Sequence, residues 1–225
     1  MLTDHHCHVL PGLDDGSDSV ETSLAMLGLM KEQGVERVVF TPHFYAHREK
    51  SVESFLEKRQ AAFEAVKERS PVKNMLLGAE VAVEHGVSEL DGIEKLVMEG
   101  TDLILMELPY RGYEDWMSEE IYNISSEFGL KIIYAHIHRY TEYYSRTQLD
   151  RVLDKRAVYQ INNEAFGSFS QKRFVKRLMK EGYPLIFGSD AHNMSSRRPN
   201  WDLLLKKCSA EFIEKSDNTI DKYIV

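Results

Sequence analysis

The chain has 225 residues, 43% of them hydrophobic and 28% charged, and a net charge of −8. This is the composition of one ordinary globular domain, expected over residues 1–225, and its acid excess excludes a non-specific binder of nucleic acid or anionic membrane, which needs a basic face. Two cysteines, Cys7 and Cys208, make no disulfide framework, no apolar run approaches the roughly 20 residues that span a bilayer, and no signal peptide precedes the first motif, so a cytoplasmic protein without membrane insertion is expected.

The first nine residues read as a strand carrying Asp4-x-His6-x-His8. Alternation puts Asp4, His6 and His8 on one face, with the two imidazoles about 6.5 Å apart, close enough to share a metal ion. An affinity tag would be a uniform run, whereas this stretch is interrupted, acidic and followed by a turn at 11–16. Ser17 or Ser19 caps a helix over Val20–Gln33, which Gly34 ends. A second strand, Val35–Phe40, opens into Thr41-Pro42-His43. Ser51–Ser70 is a charged helix. Met75–Val83 is a third strand, interrupted by Gly78-Ala79-Glu80, and Asp102–Leu108 a fourth, carrying Glu107 near its end. A helix over Glu114–Phe128 precedes a fifth strand, Lys131–Ile137, which runs into His136-Ile137-His138-Arg139-Tyr140. Thr147–Lys155 is helical, Val158–Ile161 is the sixth strand, and Asn162-Asn163-Glu164 follows it. A helix over Gln171–Glu181 leads to the seventh strand, Pro184–Phe187, and to Gly188-Ser189-Asp190-Ala191-His192. Pro199–Phe212 is the last helix.

Seven buried-type strands alternating with helices predict an α/β fold, a distorted seven-stranded (β/α) barrel resembling a TIM barrel. The chain is short for eight units. An open doubly wound sheet is the alternative.

The polar residues that do not suit strands sit where strands end: His6, His8, His43, Glu80, Glu107, His136, Asp190 and His192, joined by Asp15 from an early loop. In a parallel barrel all those ends face one mouth, where active sites lie. One histidine at a strand end is ordinarily a hydrogen-bonded structural residue; nine such positions together are a candidate metal centre. Histidine with carboxylate suits manganese, iron or zinc better than calcium or magnesium, and the count calls for two or three ions. Four carboxylates against three divalent ions leave the site about two charges positive, a site for an anion such as phosphate. Arg139 and either Arg197 or Arg198 follow ligand strands and could fork onto phosphate oxygens. Other phosphatase chemistries lack their residues. Six positions after Cys7 and Cys208 stand Leu13 and Glu214, where a cysteine phosphatase needs arginine. No Asp-x-Asp pair ends the first strand, and there is no Gly-x-x-x-x-Gly-Lys loop. Cys7 reads as a small apolar wall residue.

These motifs, with Leu13-Asp14-Asp15-Gly16 and Ser189-Asp190-Ala191-His192-Asn193, resemble the polymerase-and-histidinol-phosphatase (PHP) superfamily. Within it the chain is most similar to the bacterial manganese-dependent protein-tyrosine phosphatases of capsular and exopolysaccharide biosynthesis. The resemblance runs from about residue 2 to 205. It implies a trinuclear site in which one ion takes His6, His8, Glu80 and Asp190, a second Glu80, Glu107 and His136, and a third Asp15, His43 and His192. It further implies phosphate held by Arg139 and Arg197, in-line attack by a metal-bound hydroxide, and a phosphotyrosine protein as substrate, such as a bacterial tyrosine kinase of polysaccharide export. Two departures stand out: His138 where the family has Glu in His-Ile-Glu-Arg-Tyr, and Ser195-Ser196-Arg197-Arg198-Pro199 where it has Gly-Arg-Pro. The competing readings are a small-molecule phosphatase of the histidinol-phosphate type and a non-catalytic metal-binding domain. The oligomeric state is not legible.

Overall fold

The computed structural model describes residues 1–154 and 156–223. Every strand pairing in it is parallel. Strands β1 (Thr3–Cys7), β2 (Arg37–Phe40) and β4 (Asn74–Leu77) form one sheet; β3 (His43–Phe44), β5 (Glu80–Ala82), β6 (Leu103–Glu107), β7 (Lys131–Tyr134), β8 (Val158–Asn162) and β9 (Leu185–Gly188) form a second, in that order. Helices α1 (Val20–Glu32), α2 (Val52–Lys67), α3 (Asp115–Phe128), α4 (Arg146–Val152), α5 (Phe169–Glu181), α6 (Trp201–Lys207) and α7 (Ala210–Ile220) intervene. β1, β2, β8 and β9 are buried along their whole length, as strands covered on both faces are. On β6, Leu103 and Leu105 join a small cluster with Ile133, Val158 and Ile186, against which Ile220 packs. Ile104 and Met106, pointing the other way, join the larger cluster that includes helix residues such as Met117 and Ile124.

The second strand ends at Phe40 as expected, with a further short strand, β3, beyond it, and the third is interrupted where expected, between Leu77 and Glu80; both breaks have a local reason. Pro42, which has no N–H to give a ladder, separates β2 from β3, and Gly78-Ala79 separates β4 from β5. Single hydrogen bonds bridge the gap: Gly78 N–H to Phe40 O (2.8 Å) and Glu80 N–H to Pro42 O (3.0 Å). At the other edge the Asp190 N–H donates to His6 O (2.8 Å), the His8 N–H to Ala191 O (2.9 Å), and Cys7 bridges Ala191 in parallel. The sheet therefore curls back on itself, but as a three-stranded and a six-stranded piece rather than one regular ladder.

Other boundaries move for equally local reasons. Ser19, not Ser17, caps α1, its hydroxyl accepting from the Thr22 N–H at 3.2 Å. The strand expected to Ile137 stops at Tyr134, because His136 turns the chain at φ 29° into a 3-10 helix over Ile137–Glu142. The last helix is two helices, broken where Cys208 is extended. The helix expected over Thr147–Lys155 runs Arg146–Val152; Lys155 lies outside the described residues, as do Ile224 and Val225 of the expected domain. No helix among the described residues is long and apolar enough to cross a membrane.

Candidate metal centre

The β1 ladder slips between Asp4 and Cys7: Asp4 pairs with Val38 and Cys7 with Phe40, so His5 and His6 together face one partner position. This bulge corrects the single face expected for Asp4, His6 and His8. Asp4 instead turns to structure, accepting from Trp201 Nε1 (2.8 Å) and the Ser189 N–H (2.9 Å). His6 and His8 turn together, their Nε2 atoms 3.1 Å apart.

Glu80, at the start of β5, is the hub. Its Oε1 lies 2.9 Å from His136 Nε2; its Oε2 lies 3.0 Å from His43 Nδ1 and 3.2 Å from both His6 and His8 Nε2. Glu107 at the end of β6 reaches His136 at 3.4 Å, Asp190 reaches His8 at 3.4 Å, and Asp15 lies 3.5 Å from both His43 and His192. All nine residues predicted as ligands are thus brought together. Donor atoms of eight of them, all but His136, fall into three sets, each within 4.8 Å: His8, Asp15, His43 and His192; His6, His8 and Asp190, without the Glu80 expected there; and His43, Glu80 and Glu107. His8 joins the set expected for the third ion, and His43 stands with Glu80 and Glu107 where His136 was expected, although His136 touches both carboxylates.

The donor chemistry fits cations. Buried side-chain nitrogens are normally hydrogen-bonded, yet His192 Nε2 is buried with no hydrogen bond and His43 Nδ1 has none of acceptable geometry. Four imidazoles crowd one buried glutamate, whose carboxyl is held well below its usual range: burial raises it, and His6 and His43 outweigh burial. Burial lowers His8 and His136, but Asp14 and Glu80 hold the proton on His8, and Glu107 and Glu80 raise His136 to about 9. His192 is pushed down to about 3 by burial and by His8.

Backbone is committed to this arrangement. His136 (φ 29°) and Asp190 (φ 51°) are the non-glycine residues at positive φ among the described residues, a conformation that costs of order 1–3 kcal/mol and gathers at functional sites. Gly188 lets β9 approach β1: a Cβ there would meet His6 Cβ at 2.7 Å. Gly16 does the same beneath His8, where a Cβ would lie 2.2 Å from His8 O.

The two predicted arginines lie in the same cavity, a hollow of about 400 Å3. Arg139 Nη2 is 2.8 Å and Arg197 Nη2 2.9 Å from Asp190 Oδ2. Arg197 lines the cavity, whereas Arg198 is exposed and does not. His138 is fully buried, its Nε2 3.8 Å from Glu164, and burial pushes it down to about 4. Cys7 is fully buried in the apolar core, as expected, and burial pushes its thiol up.

Several residues to which sequence reasoning gave no role hold the site together. Asp14 accepts from His8 Nδ1 at 2.7 Å and from the His43 N–H at 2.8 Å. Gln160 Oε1 accepts from the His136 N–H (2.7 Å) and lies 2.9 Å from His6 Nδ1. Asn162 Nδ2 donates to Asp190 Oδ2 (2.8 Å), and Glu164 accepts from Arg139 Nη2 (2.6 Å). β8, the strand without a predicted ligand, thus supplies the residues that orient ligands on its neighbours. The available signal was Gln160, an amide inside an apolar strand. Tyr45, Tyr110 and Tyr143 also line the cavity.

A curled parallel α/β sheet whose strand ends gather five histidines and four carboxylates defines an α/β protein with a candidate multinuclear metal centre. The chain belongs to the CpsB/CapC family of capsular polysaccharide synthesis, whose model matches residues 2–225. It is 28% identical to tyrosine-protein phosphatase YwqE of Bacillus subtilis over 87% of this chain and 79% of that protein. It is also 28% identical to tyrosine-protein phosphatase CpsB of Streptococcus pneumoniae, over 93% and 92%. The fold matches a chain from the crystal structures of YwqE from B. subtilis and CpsB from S. pneumoniae, described as metal-dependent tyrosine phosphatases. The TM-score is 0.77 at 23% identity, over 100% of this chain and 96% of that one.

Proposed function

We propose that this protein is a metal-dependent protein-tyrosine phosphatase of capsular or exopolysaccharide synthesis. The observation that carries the reading is the convergence of nine histidine and carboxylate side chains around Glu80, with two guanidiniums at the same cavity. We read the two sheets as one distorted seven-position barrel within a single domain over 1–225, with β2/β3 and β4/β5 as broken strands. The two sheet edges that meet through Asp190–His6 and Ala191–His8 support this.

His6, His8, Asp15, His43, Glu80, Glu107, His136, Asp190 and His192 would hold up to three ions. Imidazole and carboxylate donors without thiolate suit manganese, with iron and zinc as alternatives. When bound, such ions supply Lewis acidity and an activated water for phosphomonoester hydrolysis. The chain's own residues do the rest. Asp14 and Gln160 fix the rings of His8 and His6, as outer partners of metal-bound histidines do. Arg139 and Arg197 present forked donors matched to the non-bridging oxygens of a phosphoryl group. The substrate of this reading is a phosphotyrosine protein, a bacterial tyrosine kinase of polysaccharide export being the proposed partner, in the cytoplasm; the unpaired thiols Cys7 and Cys208 suit that reducing compartment.

The test is elemental analysis of chelator-free protein together with turnover of a phosphotyrosine peptide, histidinol phosphate and p-nitrophenyl phosphate. Two to three ions per chain and preference for the phosphotyrosine peptide are expected. Less than one ion per chain after manganese, iron and zinc supplementation would sink the multinuclear reading, and preference for histidinol phosphate would move the substrate class.

A further inference from the structure

The metal-site cavity has an unusual wall. Eleven side chains line it, and the eight that are not tyrosine are imidazoles, carboxylates or guanidiniums. The uncharged wall is Tyr45, Tyr110 and Tyr143, with no aliphatic side chain among the lining residues. These tyrosines attach to two different imidazoles that meet at Glu80. His43 and His136 approach different oxygens of that carboxylate; the Tyr45 ring packs on His43 (centroids 5.1 Å) and the Tyr110 ring stacks on His136 (5.7 Å, 20° between planes). Tyr143 extends the second bank outward, its ring 5.2 Å from Tyr110. Tyr110 and Tyr143 remain 41% and 47% exposed, so both rings are open to a molecule entering the cavity.

From this we infer that Tyr45 on one bank and Tyr110 with Tyr143 on the other form a slot for a planar aryl group, and that this slot selects aryl over alkyl phosphoryl compounds. The inference rests on the phosphatase reading above and adds to it the residues that choose the substrate's leaving group. Aromatic rings prefer offset or edge-on contact at 4.5–7 Å between centroids, the spacing these tyrosines already keep with their neighbours. An aryl ring standing above a phosphoryl group on Arg139 and Arg197 can satisfy that preference on both sides, whereas a serine or alkyl chain offers neither a face nor an edge. Tyr110 has a second duty that makes it a poor probe: its hydroxyl accepts from Arg139 Nη1 at 3.4 Å. Tyr45 and Tyr143 are the informative positions. Arg48 lies over the Tyr45 ring at 4.4 Å, so Tyr45→Leu removes a stacked pair, while Tyr143→Ala trims an exposed ring.

Two non-hydrolysable probes test the slot on manganese-supplemented protein: phenylphosphonate and methylphosphonate, with dissociation constants from calorimetry. Phenylphosphonate is expected to bind more tightly. Each of Tyr45→Leu and Tyr143→Ala should shrink that preference by about two- to twelvefold, the worth of one aromatic pair, and Tyr143→Phe should restore it. The kcat/KM ratio for a phosphotyrosine peptide over its phosphoserine counterpart should fall in parallel. Equal binding of the two phosphonates by the parent, or a preference unchanged in both variants, overturns the slot. A protein that prefers phenylphosphonate yet turns over no phosphotyrosine peptide overturns the phosphatase reading and leaves the slot standing.

Discussion

Arg139 and Arg197 reach the same atom. Their Nη2 nitrogens lie 2.8 and 2.9 Å from Asp190 Oδ2, although the residues belong to loops after different strands. Arg139 also gives Nε and Nη2 to Glu164 and Nη1 to the Tyr110 hydroxyl, so an anion in the cavity would take over donors that these neighbours now hold. Charge-assisted hydrogen bonds are worth about 1.5–3 kcal/mol each. Arg139→Ala and Arg197→Ala should therefore each lower kcat/KM by roughly 10- to 150-fold while metal content holds. Lysine should recover only part, because a point charge cannot make two parallel bonds. Exposed Arg198→Ala should stay near the parent. Steady-state kinetics with phosphate inhibition and metal analysis decide this; unchanged kcat/KM in both Arg139→Ala and Arg197→Ala would remove the phosphate clamp.

Glu80 offers the strongest contrast within the ligand set. Its two oxygens contact four imidazoles, while His8 presents a single nitrogen, Nε2, to the cluster. Glu80→Ala should therefore lose more metal per chain than His8→Ala and leave several buried imidazoles without a counter-charge. Elemental analysis of the two variants purified side by side is the measurement, and equal losses would argue against Glu80 as a shared ligand.

The candidate ligands were legible because so many histidines and acids, as in Thr41-Pro42-His43 or Ser189-Asp190-Ala191-His192, stand together at the ends of apolar strands, where each alone would read as structural. What was hidden depends on partners the sequence does not display. The bulge at His5-His6 exists only in register with Val38 and Phe40, so period-two alternation misassigned Asp4. Asp14 and Asp15 are adjacent and chemically identical; only the loop's path turns one toward His8 Nδ1 and the other toward the cavity. The interruption of the third strand was visible in Gly78-Ala79-Glu80, but not the short strand after Pro42 or the division into two sheets. Gln160 sat in plain view inside an apolar strand, without anything in the sequence to say which rings it would hold.

Stability against pH has an unrelated lever on the other side of β1. Asp217 of α7 accepts from the Thr3 N–H at 2.9 Å. Burial raises its pKa from 3.8 to about 6, against the opposing pull of the Thr3 N–H, the N-terminal amine and Arg37. A carboxyl raised in the folded state favours folding below its unfolded pKa, and that contribution is lost as pH rises through about 6. Above that, the ionised Asp217 destabilises the fold. Asp217→Asn keeps an acceptor for Thr3 and removes the charge. It should be more stable than the parent at pH 7.5 by about 1–3 kcal/mol, and the advantage should vanish near pH 4. Denaturant titrations at the two pH values check it, and equal stability at pH 7.5 would contradict the assignment.

Asp14 carries the last prediction, because it touches two of the candidate ligands, His8 and His43, without being one of the nine. Its Oδ2 accepts from His8 Nδ1 and from the His43 N–H, and its Oδ1 accepts from the Gly16 N–H at 2.9 Å. Its carboxyl lies well below the usual range: burial raises it, and His8 outweighs burial. With Nδ1 so tied, His8 must present Nε2, the nitrogen that lies 3.1 Å from His6 Nε2 and 3.2 Å from Glu80. One carboxylate thus fixes a ring's orientation and the position of the His43 backbone together. Removing such an outer partner typically costs 10- to 100-fold in metal affinity or activity. Asp14→Asn keeps the shape but has one acceptor oxygen and no charge, so it should weaken metal binding by about that factor. Excess manganese should then return much of the lost kcat/KM, which it should not do for Arg139→Ala, whose defect is not in the metals. Competition against a chromophoric chelator gives the affinity, and a metal titration of kcat/KM gives the rescue. Parent-like affinity in Asp14→Asn would show that His8 holds its orientation without Asp14, and the ring would then be fixed by its packing against His43 and His192, whose centroids lie 4.4 and 3.9 Å away.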